Sequence, residues 1–180
     1  TLFGAATHIR RMVYGTRMIL FAPLYLSSQC ANDCLYCGFR ASNETLERKT
    51  LTNEEIEEEV RWLYQRGYRR ILLESSEHAK AVPIDRITSA MDFIYNLRDR
   101  ENKPMVDRIN VNIAAASKWD YEELLKAGVG TYNLFQETYH FHTYQKMHPK
   151  GPKRDFIRQL AAPGFAIRAG IGDIGMGVLY

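Results

Sequence analysis

The chain has 180 residues, 46% of them hydrophobic and 25% charged, with a net charge of +3. That is one domain's length and an ordinary globular composition, and the charge is too small to suggest a nucleic-acid partner. No apolar run reaches the ~18 residues of a membrane span, nothing at the start reads as a signal peptide, and three thiols without one point to a reducing cytoplasm.

Residues 1–17 read as a helical lead-in with a basic side at Arg10 and Arg11, ending near Gly15. The apolar run Met18 to Leu26 predicts a buried first strand, followed by Cys30, Cys34 and Cys37. A polar loop covers 42–50. Thr52 and Glu55 form a capping box, and Ile56, Val60, Leu63 and Tyr64 share one face of the helix they open. The acidic run around Glu57 reads as a solvated face, and Gly67 ends the helix.

Strand two spans Arg70–Glu74 and runs into Ser75-Ser76-Glu77. Pro83 starts a helix with Ile84, Ile87, Met91 and Ile94 on its core face. Strand three is Arg108–Ala115, with Asn110 and Asn112 on one face and Val111 and Ile113 on the other. Ser117 caps a helix that turns Leu124 and Leu125 inward. Strand four is Thr131–Glu137, a short helical turn covers 141–147, and a further helix begins near Arg154. Pro163-Gly164 is expected to break or kink that helix. Strand five is Asp173–Tyr180. Strand–helix alternation of this kind predicts a parallel α/β sheet curled toward a barrel. The chain starts at Thr1 and stops inside an apolar run, so it reads as a fragment, with 18–180 as an incomplete barrel core.

All three cysteines fall within eight positions, on the loop that leaves the carboxyl end of strand one. That is where parallel α/β folds build active sites. Three thiolates are one too few for a closed tetrahedral metal. They suit a four-iron cluster with one open iron. A zinc site with a distant fourth ligand and a disulfide with a spare thiol are the other readings. A thioredoxin-like redox pair is disfavoured, because no Cys-x-x-Cys opens a helix. Gln136, Glu137 and Asn112 are polar groups at strand ends that need partners. His78, His142 and His148 read as surface or loop histidines rather than ligands.

Cys-x-x-x-Cys-x-Tyr-Cys resembles the signature of radical S-adenosylmethionine (SAM) enzymes. With it stand Leu20–Ser27, Gly38-Phe39-Arg40, Asn110–Ala114, Gln136-Glu137-Thr138-Tyr139-His140 and His148-Pro149-Lys150-Gly151-Pro152-Lys153. Together these resemble the tyrosine lyases that mature [FeFe]-hydrogenases. The tyrosine lyase of thiazole biosynthesis, a 2-iminoacetate synthase, matches less fully. The resemblance implies a partial TIM barrel of the radical SAM type, ending after about five strands. It implies a [4Fe–4S] cluster on Cys30, Cys34 and Cys37, with SAM on the open iron. Tyr36 is implied to hold adenine, Glu77 the methionine ammonium, and Gly175 and Gly177 to lie along adenine. Asn112, Gln136 and Glu137 are candidates for SAM ribose or substrate. The implied reaction splits the Cα–Cβ bond of L-tyrosine into p-cresol and dehydroglycine, the source of carbon monoxide and cyanide. Its implied partners are a flavodoxin or ferredoxin electron donor and other maturation proteins. A non-enzymatic zinc-binding module is the competing class.

The chain departs from the family at two places. Two serines, Ser75 and Ser76, replace a glycine-rich pair. Gln159 and Gly164-Phe165 stand where an arginine and an Asp-Arg pair are expected, with Arg158 and Arg168 nearby.

Overall fold

Five strands lie side by side in the computed structural model, which describes all 180 residues. They are β1 (Ala22–Ser27), β2 (Arg70–Ser75), β3 (Arg108–Asn112), β4 (Val129–Glu137) and β5 (Ile174–Val178), in that spatial order. Every neighbouring pair is parallel. Sequential order is that of a barrel wall; a doubly wound sheet would reverse at a switch point. The expected parallel (β/α) partial barrel is therefore the fold observed, with β1 and β5 as its two edges.

Helices α2 (Asn53–Gln65), α3 (Ile84–Asn96), α4 (Lys118–Lys126) and α6 (Phe156–Arg168) follow successive strands, with a shorter α5 (Phe141–Met147) after β4. Two starts are set locally. Thr52 with Glu55, and Ser117 with Asp120, each form a complete capping box. The buried faces of the helices, such as Ile56 and Val60 or Ile87 and Met91, close on Leu24, Leu26, Ile71, Leu73, Ile109 and Val111. Strand alternation then turns the other side chains into the barrel.

The structure differs from the sequence reading at several points, among them β5, which ends at Val178 rather than Tyr180. β1 begins at Ala22, and Met18, Ile19, Leu20 and Phe21 are exposed, because β2 pairs with β1 only from Ala22 onward. β3 ends at Asn112 rather than Ala115. On α4, Tyr121 is fully buried while Leu125 is 41% exposed. The helical period places Tyr121 and Leu124 together, and the aromatic ring takes the core position.

A further difference is α6, which runs unbroken through Pro163. The proline removes one backbone donor, a cost of about 3 kcal/mol. Ala162 and Ala166 bury that face, and the Asp155 side chain caps the helix start, so packing holds the helix. The lead-in helix α1 (Leu2–Tyr14) buries none of its residues.

Candidate active site

The cysteine loop is tied down by backbone bonds to distant segments. Ala31 N–H donates to Glu77 O at 2.8 Å, Asp33 N–H to Lys150 O at 3.1 Å, and Leu35 N–H to Met147 O at 3.0 Å. The segment 147–153 therefore lies directly against the loop. Gly151 has φ 91°, and a Cβ there would fall 2.4 Å from Asn32 Oδ1 and 2.5 Å from Ala31 O. Only glycine permits this approach. Arg48 closes the other side. Its guanidinium donates to the carbonyls of Ser28 (2.7 Å), Phe39 (2.7 Å), Arg40 (2.6 Å) and Asn43 (3.2 Å).

Side chains complete the clamp. Asn32 is buried; its Nδ2 donates to Glu77 Oε2 at 2.7 Å, and its Oδ1 accepts from Lys153 N–H at 2.7 Å. Lys153 Nζ pairs with Glu137 Oε1 at 2.9 Å, and Arg158 Nη1 with Glu77 Oε1 at 2.7 Å. Arg158 Nη2 also donates to Ala115 O. Arg158 thus supplies a cation beside Gln159, where an arginine is expected from the resemblance, while Gln159 Nε2 donates to Phe135 O at 3.0 Å. Glu137 sits at φ 66°, a strained conformation for a non-glycine residue, at the carboxyl end of β4.

His148 lies at the centre of this packing rather than on the surface. It is fully buried, its ring 4.0 Å from that of Tyr144. Its Nδ1 faces the Tyr144 carbonyl at 2.8 Å, and a carbonyl only accepts. Neutral His148 therefore carries its proton on Nδ1, and Nε2 accepts from the Tyr36 hydroxyl at 2.6 Å. Burial pushes the His148 pKa down and the Tyr36 pKa up, so both groups stay neutral.

A cavity of about 300 Å³ opens above the strand ends. Cys30, Cys34 and Cys37 all line it, with Tyr36, Glu77, Asn112 and Glu137 of the expected site. Gln136 does not. Its side chain is buried, in the alternation with Tyr132, whose ring packs on Tyr121 of α4, and its amide nitrogen has no partner. Gly175 and Gly177 lie just outside the cavity, where a Cβ would meet the side chains of Asn133 and Phe135. The cavity floor instead contains Tyr25, Glu74 and Phe135, which the sequence reading did not single out.

The three thiols are free, and no three metal-ligating side chains converge on a single ion position. A cubane offers a separate iron to each thiolate, so its ligands need not converge. The loop carries donors that suit charged sulfur, with Asn32 N–H 3.5 Å from Cys30 Sγ and Phe39 N–H 3.4 Å from Cys37 Sγ. Burial raises the Cys34 thiol, and the Lys153 ammonium works against that rise. The donor set fits a cluster.

A parallel α/β barrel wall with three clustered thiols facing a cavity at its carboxyl end defines a metallocluster enzyme of the barrel class. The radical SAM superfamily matches residues 24–163, and the chain belongs to it. Members use a [4Fe–4S] cluster and SAM.

The structure of HydG, a maturase of the [FeFe]-hydrogenase, matches 99% of this chain and 39% of its own, with a TM-score of 0.93 and 46% identity. HydG from Carboxydothermus hydrogenoformans matches 99% of this chain and 40% of its own, with a TM-score of 0.89 and 41% identity. The 2-iminoacetate synthase of Escherichia coli (strain K12) is 34% identical over 97% of this chain and 44% of its own length. The chain thus spans less than half the length of these relatives. No helix is long and apolar enough to cross a membrane.

Proposed function

We propose that the chain is the cluster- and SAM-binding part of a tyrosine lyase of the [FeFe]-hydrogenase maturase type. The observation that carries this reading is the 46% identity and TM-score of 0.93 with HydG across 99% of the chain. The reaction cleaves the Cα–Cβ bond of L-tyrosine. Loss of one hydrogen atom and cleavage give dehydroglycine, and one electron and one proton complete p-cresol. A flavodoxin or ferredoxin is the proposed electron source. When bound, the cluster and SAM supply a 5′-deoxyadenosyl radical.

The chain's own residues hold the parts in place. Cys30, Cys34 and Cys37 would take three irons. Tyr36, fixed by His148, would present its ring to adenine, and the bare backbone at Gly175 and Gly177 would border it. Glu77, oriented by Asn32 and Arg158, would accept the methionine ammonium. Asn112 and Glu137 face the same cavity as contacts for ribose or substrate. Gln136 would have to act through β4, because its side chain turns away from that cavity. Phe39, Leu134 and Phe135 line the cavity with apolar surface that excludes water.

The second reading is a 2-iminoacetate synthase of the thiazole type, supported by the 34% identity with the E. coli enzyme over 97% of the chain. The first bond broken is then the same, and dehydroglycine passes to a synthase. The test is the full-length protein, reconstituted anaerobically and reduced, incubated with SAM and L-tyrosine. p-Cresol is expected in both readings. Carbon monoxide and cyanide in addition favour the maturase, and absence of p-cresol removes the lyase reading.

A further inference from the structure

One row of residues crosses all five strands in register. Tyr25 pairs with Glu74, Glu74 with Asn112, Asn112 with Asn133, and Asn133 with Gly175. The alternate positions, such as Leu73 and Val111, are buried toward the helices, so this row faces the barrel interior. Barrel interiors are ordinarily filled with branched apolar side chains. This layer is polar, and its β2 member, Glu74, lies within the strand, three residues before Glu77 in the loop that leaves it.

Three carboxylates line the cavity: Glu74, Glu77 and Glu137. Two are satisfied. Glu77 takes Asn32 and Arg158, and Glu137 takes Lys153. Glu74 makes no ion pair, and the Tyr25 hydroxyl is the one group that works against the effect of its burial. Burial pushes its carboxyl up, with no cation of the protein to offset the effect. Asn112, its in-register neighbour on β3 at a strand spacing of about 4.8 Å, reaches the same cavity with an amide that makes no hydrogen bond. Glu74 and Asn112 are half-buried at the cavity wall, so their polar atoms are open to a ligand that completes them.

We propose that Glu74, with Asn112 beside it, is the subsite for the α-ammonium group of an amino-acid substrate. This deepens the lyase reading and rests on it for the identity of that amino acid. A carboxylate accepts from an ammonium in a charge-assisted bond, and the Asn112 amide can donate to the adjoining carboxylate. The depth of the row separates this subsite from Glu77 at the strand exit. Substrate would sit on the floor and SAM at the rim, beside the cysteine loop. An ammonium could come from either molecule, and the experiment distinguishes them.

The test uses the full-length, cluster-loaded protein with SAM bound, titrated calorimetrically with L-tyrosine and with its deamino analogue, 3-(4-hydroxyphenyl)propionate. Wild type is expected to prefer tyrosine. Glu74→Gln should weaken tyrosine roughly 10- to 100-fold and leave the analogue unchanged. The SAM dissociation constant, the SAM-induced change in the cluster's EPR signal and the unfolding temperature should also stay at wild-type values. Unchanged tyrosine binding in Glu74→Gln overturns the proposal. Loss of SAM affinity in that variant also overturns it, by assigning the ammonium to SAM. If wild type binds another α-amino acid in place of tyrosine, the lyase reading falls, and the subsite stands if Glu74→Gln weakens that amino acid. No preference for any α-amino acid over its deamino form removes the subsite.

Discussion

The Tyr36 hydroxyl donates to Nε2 of His148 across 2.6 Å, joining residues 112 positions apart in the chain. The bond fixes the aromatic residue between two thiols to the buried centre of the segment that braces the loop. A neutral hydrogen bond of this kind contributes about 1 kcal/mol net. Tyr36→Phe and His148→Phe should each lower the unfolding midpoint of the full-length protein. The double variant should lose about 1 kcal/mol less than the sum of the two. Urea unfolding of the four species measures that coupling, and strict additivity would show that the contact does nothing.

His148 also sets a pH dependence. Burial lowers its pKa below the ordinary 6.5, with Lys153 acting in the same direction and the Tyr144 carbonyl and Glu137 opposing. The unfolded chain therefore takes up a proton at a pH where the folded chain does not. Stability from this group is complete above about pH 6.5 and is lost as pH falls through and below that value. Unfolding midpoints measured from pH 8 to pH 5 should decline on the acid side. His148→Phe should flatten that part of the slope.

Lys153 and Glu137 are 19% and 14% exposed and form a nearly closed ion pair at the cavity wall. Lys153→Met leaves a buried carboxylate alone, a loss on the order of 3 kcal/mol. The paired change Lys153→Met with Glu137→Leu should recover much of that loss, because no charge is then stranded. Thermal unfolding of the single and double variants decides this.

Arg48 gathers four carbonyls of the cysteine loop and its exit, a pattern that needs a planar fork of donors. Arg48→Met should destabilise the protein by about 2 kcal/mol or more and reduce iron uptake during reconstitution. Arg48→Lys should restore little of it, since one ammonium cannot span four carbonyls. Iron content per chain is the readout.

Local chemistry was legible in the residues. The Thr52–Glu55 and Ser117–Asp120 caps need only neighbours three apart, and the three-cysteine loop marks the site, though its spacing alone leaves cluster and zinc both open. What failed depends on partners far along the chain. Met18–Phe21 is as apolar as a strand, but β2 offers it no pairing. Pro163 reads as a breaker, yet tertiary packing of Ala162 and Ala166 carries the helix past it. Nothing near His148 signals that Tyr36 waits for it, and nothing around Arg48 signals four acceptors. Glu74 gives no signal of its own in the strand, because its lack of an ion-pair partner shows only when β1, β2 and β3 are aligned.

In the proposed reading, Cys30, Cys34 and Cys37 hold a four-iron cluster with one iron open to SAM. The most direct measurement is anaerobic reconstitution with iron and sulfide, followed by iron counting and EPR of the reduced protein with and without SAM. The expected result is a [4Fe–4S] signal that changes on SAM addition and disappears when any one of the three cysteines becomes serine. Stoichiometric zinc with no cluster, or a cluster whose signal SAM leaves unchanged, would contradict it.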